Sequence, residues 1–168
     1  MFAAPGLPLA FAQWGCILRA AAACDAAFER ILFETARPDT AVLATWPEAA
    51  RKPFLDQQFQ FQTIHYERVY PKAFRGIVEA GREPIGRIIL DCAKEAWCVV
   101  DIALMPRWRG RGLGGALLRA VQDAAARSGV AVVLTVDMNN KAQRLYRRLG
   151  FVVTEQALPN IAMAWRPA

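Results

Sequence analysis

Apolar positions along this chain alternate between the spacing of strands and that of helices, and each switch marks an element boundary. Residues 74–80 and 85–91 are two β-branched runs separated by Gly81-Arg82-Glu83-Pro84, which predicts a hairpin. Residues 92–96 form a second connection. Residues 97–104 follow, apolar at every position but Asp101, and a strand apolar on both faces belongs in the interior of a sheet. Leu113, Leu117, Val121 and Ala124 or Ala125 then recur at helical spacing until Ser128-Gly129 closes the helix. Residues 130–136 return to a β-branched run, so a strand–loop–helix–strand unit is predicted to bring two parallel strands together. Asn139 or Asn140 caps a further helix carrying Ala142, Leu145, Tyr146 and Leu149 on one face, with Gly150 at its end. Strands at 151–154 and 161–165 complete the chain.

The first third is less regular. A short strand is predicted at 14–19, then a helix with Asp25 as N-cap and Phe28, Ile31, Leu32 and Thr35 at helical spacing, stopped by Pro38. A second helix is predicted from Pro53 to Tyr70, with one stripe of Leu55, Phe59, Gln62 and Tyr66 overlapping another of Gln58, Phe61, Gln62 and His65. His65 thereby shares a face with amides and aromatics. It is either a hydrogen-bonded margin of a packed helix or a proton acceptor.

Candidate chemistry concentrates in the turn between residues 104 and 116. Gly110, Gly112, Gly114 and Gly115 let the backbone turn tightly and aim several N–H groups at one object, and a helix N-terminus follows immediately. Arg109 and Arg111 add charge, so the expected guest is an anion such as a pyrophosphate. The nucleoside-triphosphate pattern is absent, since no Lys-Ser or Lys-Thr follows the glycines. The dinucleotide fingerprint fits only inside the glycine excess and lacks its acidic residue about twenty positions on.

Composition narrows the class. The 168 residues suit a single domain spanning 1–168, with the apolar, Pro5- and Pro8-broken segment 1–13 as a loose or packing N-terminal arm rather than a signal peptide. No apolar run reaches the roughly 18 to 20 residues of a membrane span, so no membrane is expected. Four cysteines without C-x-x-C spacing and a single histidine argue against a zinc site, and reduced thiols agree with a cytoplasmic location. The net charge of +6 raises a nucleic-acid binder. Much of the excess, however, sits at Arg107, Arg109 and Arg111 and at Arg144, Arg147 and Arg148, without an interleaved aromatic stacking platform. The first cluster suits a polyphosphate and the second a solvated helix face.

Arg109, Gly112 and Gly114, read as R-x-x-G-x-G, together with Asn139, Ala142, Leu145, Tyr146, Gly150 and Phe151, read as N-x-x-A-x-x-L-Y-x-x-x-G-F, resemble the two signatures of the GCN5-related N-acetyltransferase (GNAT) superfamily. The resemblance covers roughly 85–155 well and the first 80 residues only in layout. It implies an α/β fold with a mixed sheet of about six to seven strands, splayed at two parallel strands, and about four helices. It also implies acetyl-CoA as acyl donor, with no metal. In that arrangement Leu104 and Met105 meet the pantetheine arm through backbone groups. Arg109, Gly110, Arg111, Gly112, Leu113, Gly114 and Gly115 hold the pyrophosphate, and Asn139 or Asn140 touches the cofactor or simply caps its helix.

The implied reaction is acetyl transfer to a primary amine by direct attack in a ternary complex. Tyr146 resembles the family's acid, its alternative role being core packing. For the base the chain offers Asp101, which interrupts an apolar strand and is either a proton acceptor or a structural hydrogen-bonding group, and His65. The acceptor is a small-molecule or protein amine. A non-catalytic CoA-binding or regulatory module of the same fold is the alternative, and an exposed apolar edge strand near the C-terminus suits a homodimer.

Overall fold

The computed structural model describes residues 6–8, 10–37 and 39–167. In chain order its elements are β1 (Ala10–Phe11), β2 (Cys16–Ala20), α1 (Ala26–Ala36), α2 (Thr40–Leu43), α3 (Glu48–Val69), β3 (Phe74–Ala80), β4 (Glu83–Cys92), β5 (Ala96–Leu104), α4 (Leu113–Arg127), β6 (Ala131–Asp137), α5 (Gln143–Arg148), β7 (Val152–Ala157) and β8 (Asn160–Trp165). The strands form one mixed sheet in the order β1-β2-β3-β4-β5-β6-β8-β7. All neighbours are antiparallel except β5 and β6, the pair separated by the glycine-rich turn and α4. Among the described residues the strands number eight rather than six to seven and the α-helices five rather than about four. The additions are β1 and α2, both too short to show a periodicity.

Two local signals resolve differently from their sequence reading. Asp25 stands just before α1 without capping it through its side chain. Its carboxylate instead accepts the Ala22 N–H at 2.7 Å and pairs with Arg19 at 2.7 Å, since a nearby guanidinium outcompetes the helix amides. Pro53 lies inside α3 rather than at its start, on an exposed side, where it forfeits one backbone bond while the helix begins at Pro47-Glu48. Pro38 lies outside the described residues, as do 1–5 and 9 of the N-terminal arm. Leu7 and Phe11 of that arm are buried in the main core.

That core forms where α4 lays Leu113, Leu117, Val121 and Ala125 against Ile88 and Leu90 of β4 and Val132 and Leu134 of β6. A second cluster, Phe33, Leu43 and Leu55, joins the three N-terminal helices. Strand alternation sends Arg87 to the face opposite Ile88, toward α1 and α3. The sheet's last strand in space is β7, exposed at every residue, so the C-terminal edge is apolar at Val152 and Val153.

The site is created by a fork in the sheet. Parallel pairing of β5 with β6 extends only from Ala96 opposite Ala131 to Val99 opposite Leu134. Beyond it β5 stays with β4 as far as Leu104, while β6 stays with β8 as far as Asp137. The divergence coincides with a bulge. Leu90 faces Val99 and Ile89 faces Asp101, leaving Val100 extra on β5, and such an insertion sharpens strand twist. Gly86 permits the close β4–β5 approach at the open end: a Cβ there would collide with Leu104 Cδ2 and lie 2.8 Å from the Ala103 carbonyl. Gly86→Ala is therefore expected to cost about 1–3 kcal/mol of stability, read as a lower urea midpoint at unchanged m-value.

Candidate functional site

The fork opens into a cleft of about 1020 Å³ bounded by β5, the glycine-rich turn, the start of α4 and α5. On the β5 wall, the Met105 N–H donates to the Ile85 carbonyl at 2.8 Å. Antiparallel alternation then directs the backbone groups of Asp101 and Ala103 to β4 and those of Ile102 and Leu104 into the fork. Leu104 obeys this, its carbonyl accepting Arg109 Nε at 2.7 Å. Ile102, Ala103 and Leu104 all line the cleft, whereas Met105 does not and spends its N–H on β4.

The floor is the turn into α4. Gly110 and Gly112 adopt φ of +72° and +86°, which L side chains rarely hold, and Gly112 caps the helix. The first amide bonded within α4 is that of Ala116, to the Gly112 carbonyl at 3.0 Å. The N–H groups of Leu113, Gly114 and Gly115 therefore have no partner in the helix and carry its positive end. Gly110, Gly112, Gly114 and Gly115 line the cleft; Leu113 turns its side chain into the core.

The two arginines of the turn behave differently from simple charge donors. Arg109 borders the cleft, but its guanidinium bonds the Leu104 carbonyl and, through Nη2, the Thr35 carbonyl at 2.9 Å and hydroxyl at 3.2 Å. It ties α1 to the open end of β5, and burial lowers its pKa. Arg111 lies over the Trp108 ring at 5.7 Å, outside the cleft. Among the described residues, the cations bordering the cleft besides Arg109 are Arg119 of α4, Lys141 just before α5 and Arg148 at the end of α5. Arg148, expected from the sequence on a solvated face, is exposed there, as are Arg144 and Arg147, and it also borders the cleft. Arg119 and Lys141 carry no local motif, and only their position one helical turn from Gly115 or beside Asn140 marks them.

On α5, Tyr146 is 7% exposed and packs edge-on to Phe151, centroids 5.9 Å apart, while also lining the cleft. Burial, reinforced by the Asp101 charge, pushes its pKa up to about 12. Neither asparagine caps α5, whose N-cap is Ala142, because both stand in the turn before it, and the two separate clearly. Asn140 lines the cleft and its Oδ1 accepts the Ala142 N–H at 2.9 Å, whereas Asn139 lies outside, its N–H on Asp137 Oδ1 at 2.7 Å.

Behind the β5 wall lies a charged cluster. Arg87, 3% exposed, donates to Asp101 Oδ2 through Nε at 2.8 Å, to Glu29 at 3.2 Å and to Gln62 at 3.4 Å. Burial opposes its charge, but Asp101 and Glu29 more than offset that and raise its pKa. Tyr66, on the same inward stripe of α3 as Gln62, is pushed up to about 12 by burial and the Asp101 charge. His65 belongs to the outward stripe: it is exposed and does not reach the cleft. Tyr66 and Tyr146 would ionise near 10 when unfolded and near 12 when folded. Their contribution to stability is full below pH 10 and lost as pH climbs through 12, so the melting temperature is expected to fall steeply across that window.

Fold and site together define an α/β protein whose forked sheet opens a cleft onto a helix N-terminus and several cations. The family model for the acetyltransferase (GNAT) domain matches residues 68–153, just over half of the chain, and the protein belongs to the GNAT acetyltransferase family. An uncharacterised N-acetyltransferase of Methanocaldococcus jannaschii is 34% identical over 45% of this chain and 37% of its own length, so the match spans well under half of that relative. Among solved structures, the PaiA N-acetyltransferase of Thermoplasma acidophilum, in complex with coenzyme A, superposes with a TM-score of 0.68 at 16% identity, covering 90% of this chain and 98% of that one. An acetyltransferase of Thermus thermophilus gives 0.66 at 20%, covering 90% and 96%. Such identities establish a shared fold. Among the described residues no helix is long and apolar enough to cross a membrane, and no three metal-binding side chains gather.

Proposed function

We propose that the protein transfers the acetyl group of acetyl-CoA to a primary amine, small-molecule or protein-borne, by direct attack in a ternary complex. The observation that carries this is the convergence on one fork of the outward N–H groups of Leu113–Gly115, the backbone of Ile102 and Leu104, and the buried Tyr146 phenol. The cleft suits such a donor: its volume lies at the upper end for a ligand site, and its phosphate end has both N–H donors and cations. When bound, acetyl-CoA supplies a thioester carbonyl open to an amine.

The turn holds the pyrophosphate on the amides of Gly112–Gly115, with Arg119, Lys141 and Arg148 neutralising charge and Asn140 at the rim. Arg109 acts as a strut between β5 and α1. An N–H of Ile102 or Leu104 meets the charge that develops on the carbonyl oxygen. As the C–N bond forms and the C–S bond breaks, Tyr146 gives its proton to the departing sulfur, and solvent later restores it. Asp101 is the favoured acceptor of the amine proton, through water. Its carboxylate lies behind the β5 wall, next in sequence to the cleft-lining Ile102, and both of its contacts with Arg87 fall on Oδ2, whereas His65 is exposed on α3. Asp101→Asn is expected to lower kcat about 10- to 100-fold, and His65→Ala to leave the pH–rate profile unchanged. Equal activity across pH in both variants would remove Asp101 from the reaction.

Charge reversal at the phosphate end gives a separate check. Arg119→Glu with Arg148→Glu is expected to weaken acetyl-CoA binding about tenfold, less so at high salt. The competing reading, a CoA-binding module without catalysis, is disfavoured by the intact Tyr146 at the fork. A cytoplasmic site of action rests on the four unpaired thiols.

A further inference from the structure

We propose that the N-terminal segment is a strap that presets the acyl-CoA turn, with Trp14 as the positioning residue; this rests on reading that turn as the pyrophosphate site. The segment is held at both ends of α4. Near its start, the Gly6 carbonyl accepts Arg127 Nη2 at 2.8 Å, beside the C-terminus of α4. Leu7 and Phe11 bury themselves in the α4 core, and β1 pairs with β2 through Ala10–Ile17 and Phe11–Cys16. A 3-10 turn then delivers Trp14 to the other end of the helix, where its indole N–H donates to the Arg111 carbonyl at 2.8 Å. Its ring lies against the turn as well: a Cβ on Gly112 would sit 3.4 Å from Trp14 Cζ2.

The peptide that Trp14 grips is the one most in need of holding. It links Arg111 to Gly112, so its plane turns about ψ of Arg111 and φ of Gly112, and the glycine at φ +86° leaves that plane easily flipped. A planar trans peptide carries its C=O and the following N–H on opposite edges. Fixing the Arg111 carbonyl toward Trp14 therefore points the Gly112 N–H away from Trp14, and Gly112, unlike Trp14, lines the cleft. The strap spares the ligand the entropy of ordering that donor.

Trp14→Phe keeps a ring against Gly112 and deletes only the N–H; Trp14→Ala deletes both. The expected result for Trp14→Phe is a coenzyme A Kd raised about 3- to 10-fold by calorimetry. The KM for acetyl-CoA follows it, while acceptor KM, kcat at saturating donor and melting temperature stay at wild-type values. Trp14→Ala shifts the same constant further. Unaltered coenzyme A affinity in Trp14→Phe, while wild type binds, overturns the strap alone. So does a loss spread over both KM values and kcat with a lowered melting temperature, which marks a merely structural residue. Wild-type protein that fails to bind coenzyme A overturns the turn's assignment and the strap with it.

Discussion

A Gly112→Asp, Gly114→Asp double variant is expected to lose acetyl-CoA binding by about 100-fold or more while remaining folded. Gly114 has room for a side chain, the nearest atom to a Cβ placed there being Leu104 Cδ1 at 3.7 Å. Gly112, at φ +86°, imposes on an aspartate a strain of about 1–2 kcal/mol. Two carboxylates at the N-terminus of α4 also favour its dipole, which offsets part of that strain in the ligand-free protein. The same carboxylates stand where a pyrophosphate would lie. Like charges about 4 Å apart repel by roughly 4 kcal/mol in a partly screened site, more than two orders of magnitude in affinity. Calorimetry with acetyl-CoA, beside a thermal melt, separates loss of binding from loss of fold. Undiminished binding by the folded variant would move the phosphates elsewhere.

Tyr146→Phe is the second large effect. The ring keeps its edge-on contact with Phe151 and its place in the core, so the variant changes one buried oxygen. With the phenol pushed up to about 12, the wild-type group holds its proton throughout the physiological range and can donate it to a departing thiolate. The expected loss is about 100- to 1000-fold in kcat, with coenzyme A affinity almost unchanged. Because the raised pKa keeps the acid protonated, the wild-type rate should rise as the acceptor amine deprotonates and turn down only as pH approaches 12. Wild-type kcat in Tyr146→Phe would reduce Tyr146 to packing.

The parallel β5–β6 pair was legible in the sequence because a nearly unbroken apolar strand, a glycine-rich turn and an amphipathic helix follow one another within residues 97–136. The fork was not. It depends on Val100 bulging out of register and on β5 staying with β4, and β6 with β8, where their own pairing stops, and neither leaves a periodic trace. Side-chain roles divide in the same way. Tyr146 and the glycines are set by local backbone, so spacing alone puts them on the short helix and in the turn that line the cleft. Arg109 has the sequence position of a phosphate ligand, but its partners, Leu104 and Thr35, lie 5 and 74 residues away, and only folding brings the second to it. Arg87 left no sequence signal, although four elements meet on it, because a lone arginine in a strand resembles a solvent-facing one. Within α3 the two overlapping stripes were visible, but which of them faced inward was settled only by packing: Gln62 and Tyr66 in, Phe61 and His65 out.

The central claim, amine acetylation at the fork, is tested most directly by incubating the protein with acetyl-CoA and a panel of amines while following free thiol and acetylated amine by mass spectrometry. The expected result is thiol release that requires a particular amine, matches the acetylated product one to one, and is abolished in the Gly112→Asp, Gly114→Asp variant. Tight coenzyme A binding with no acetylated product from any amine or peptide would contradict it and leave a CoA-binding module in its place.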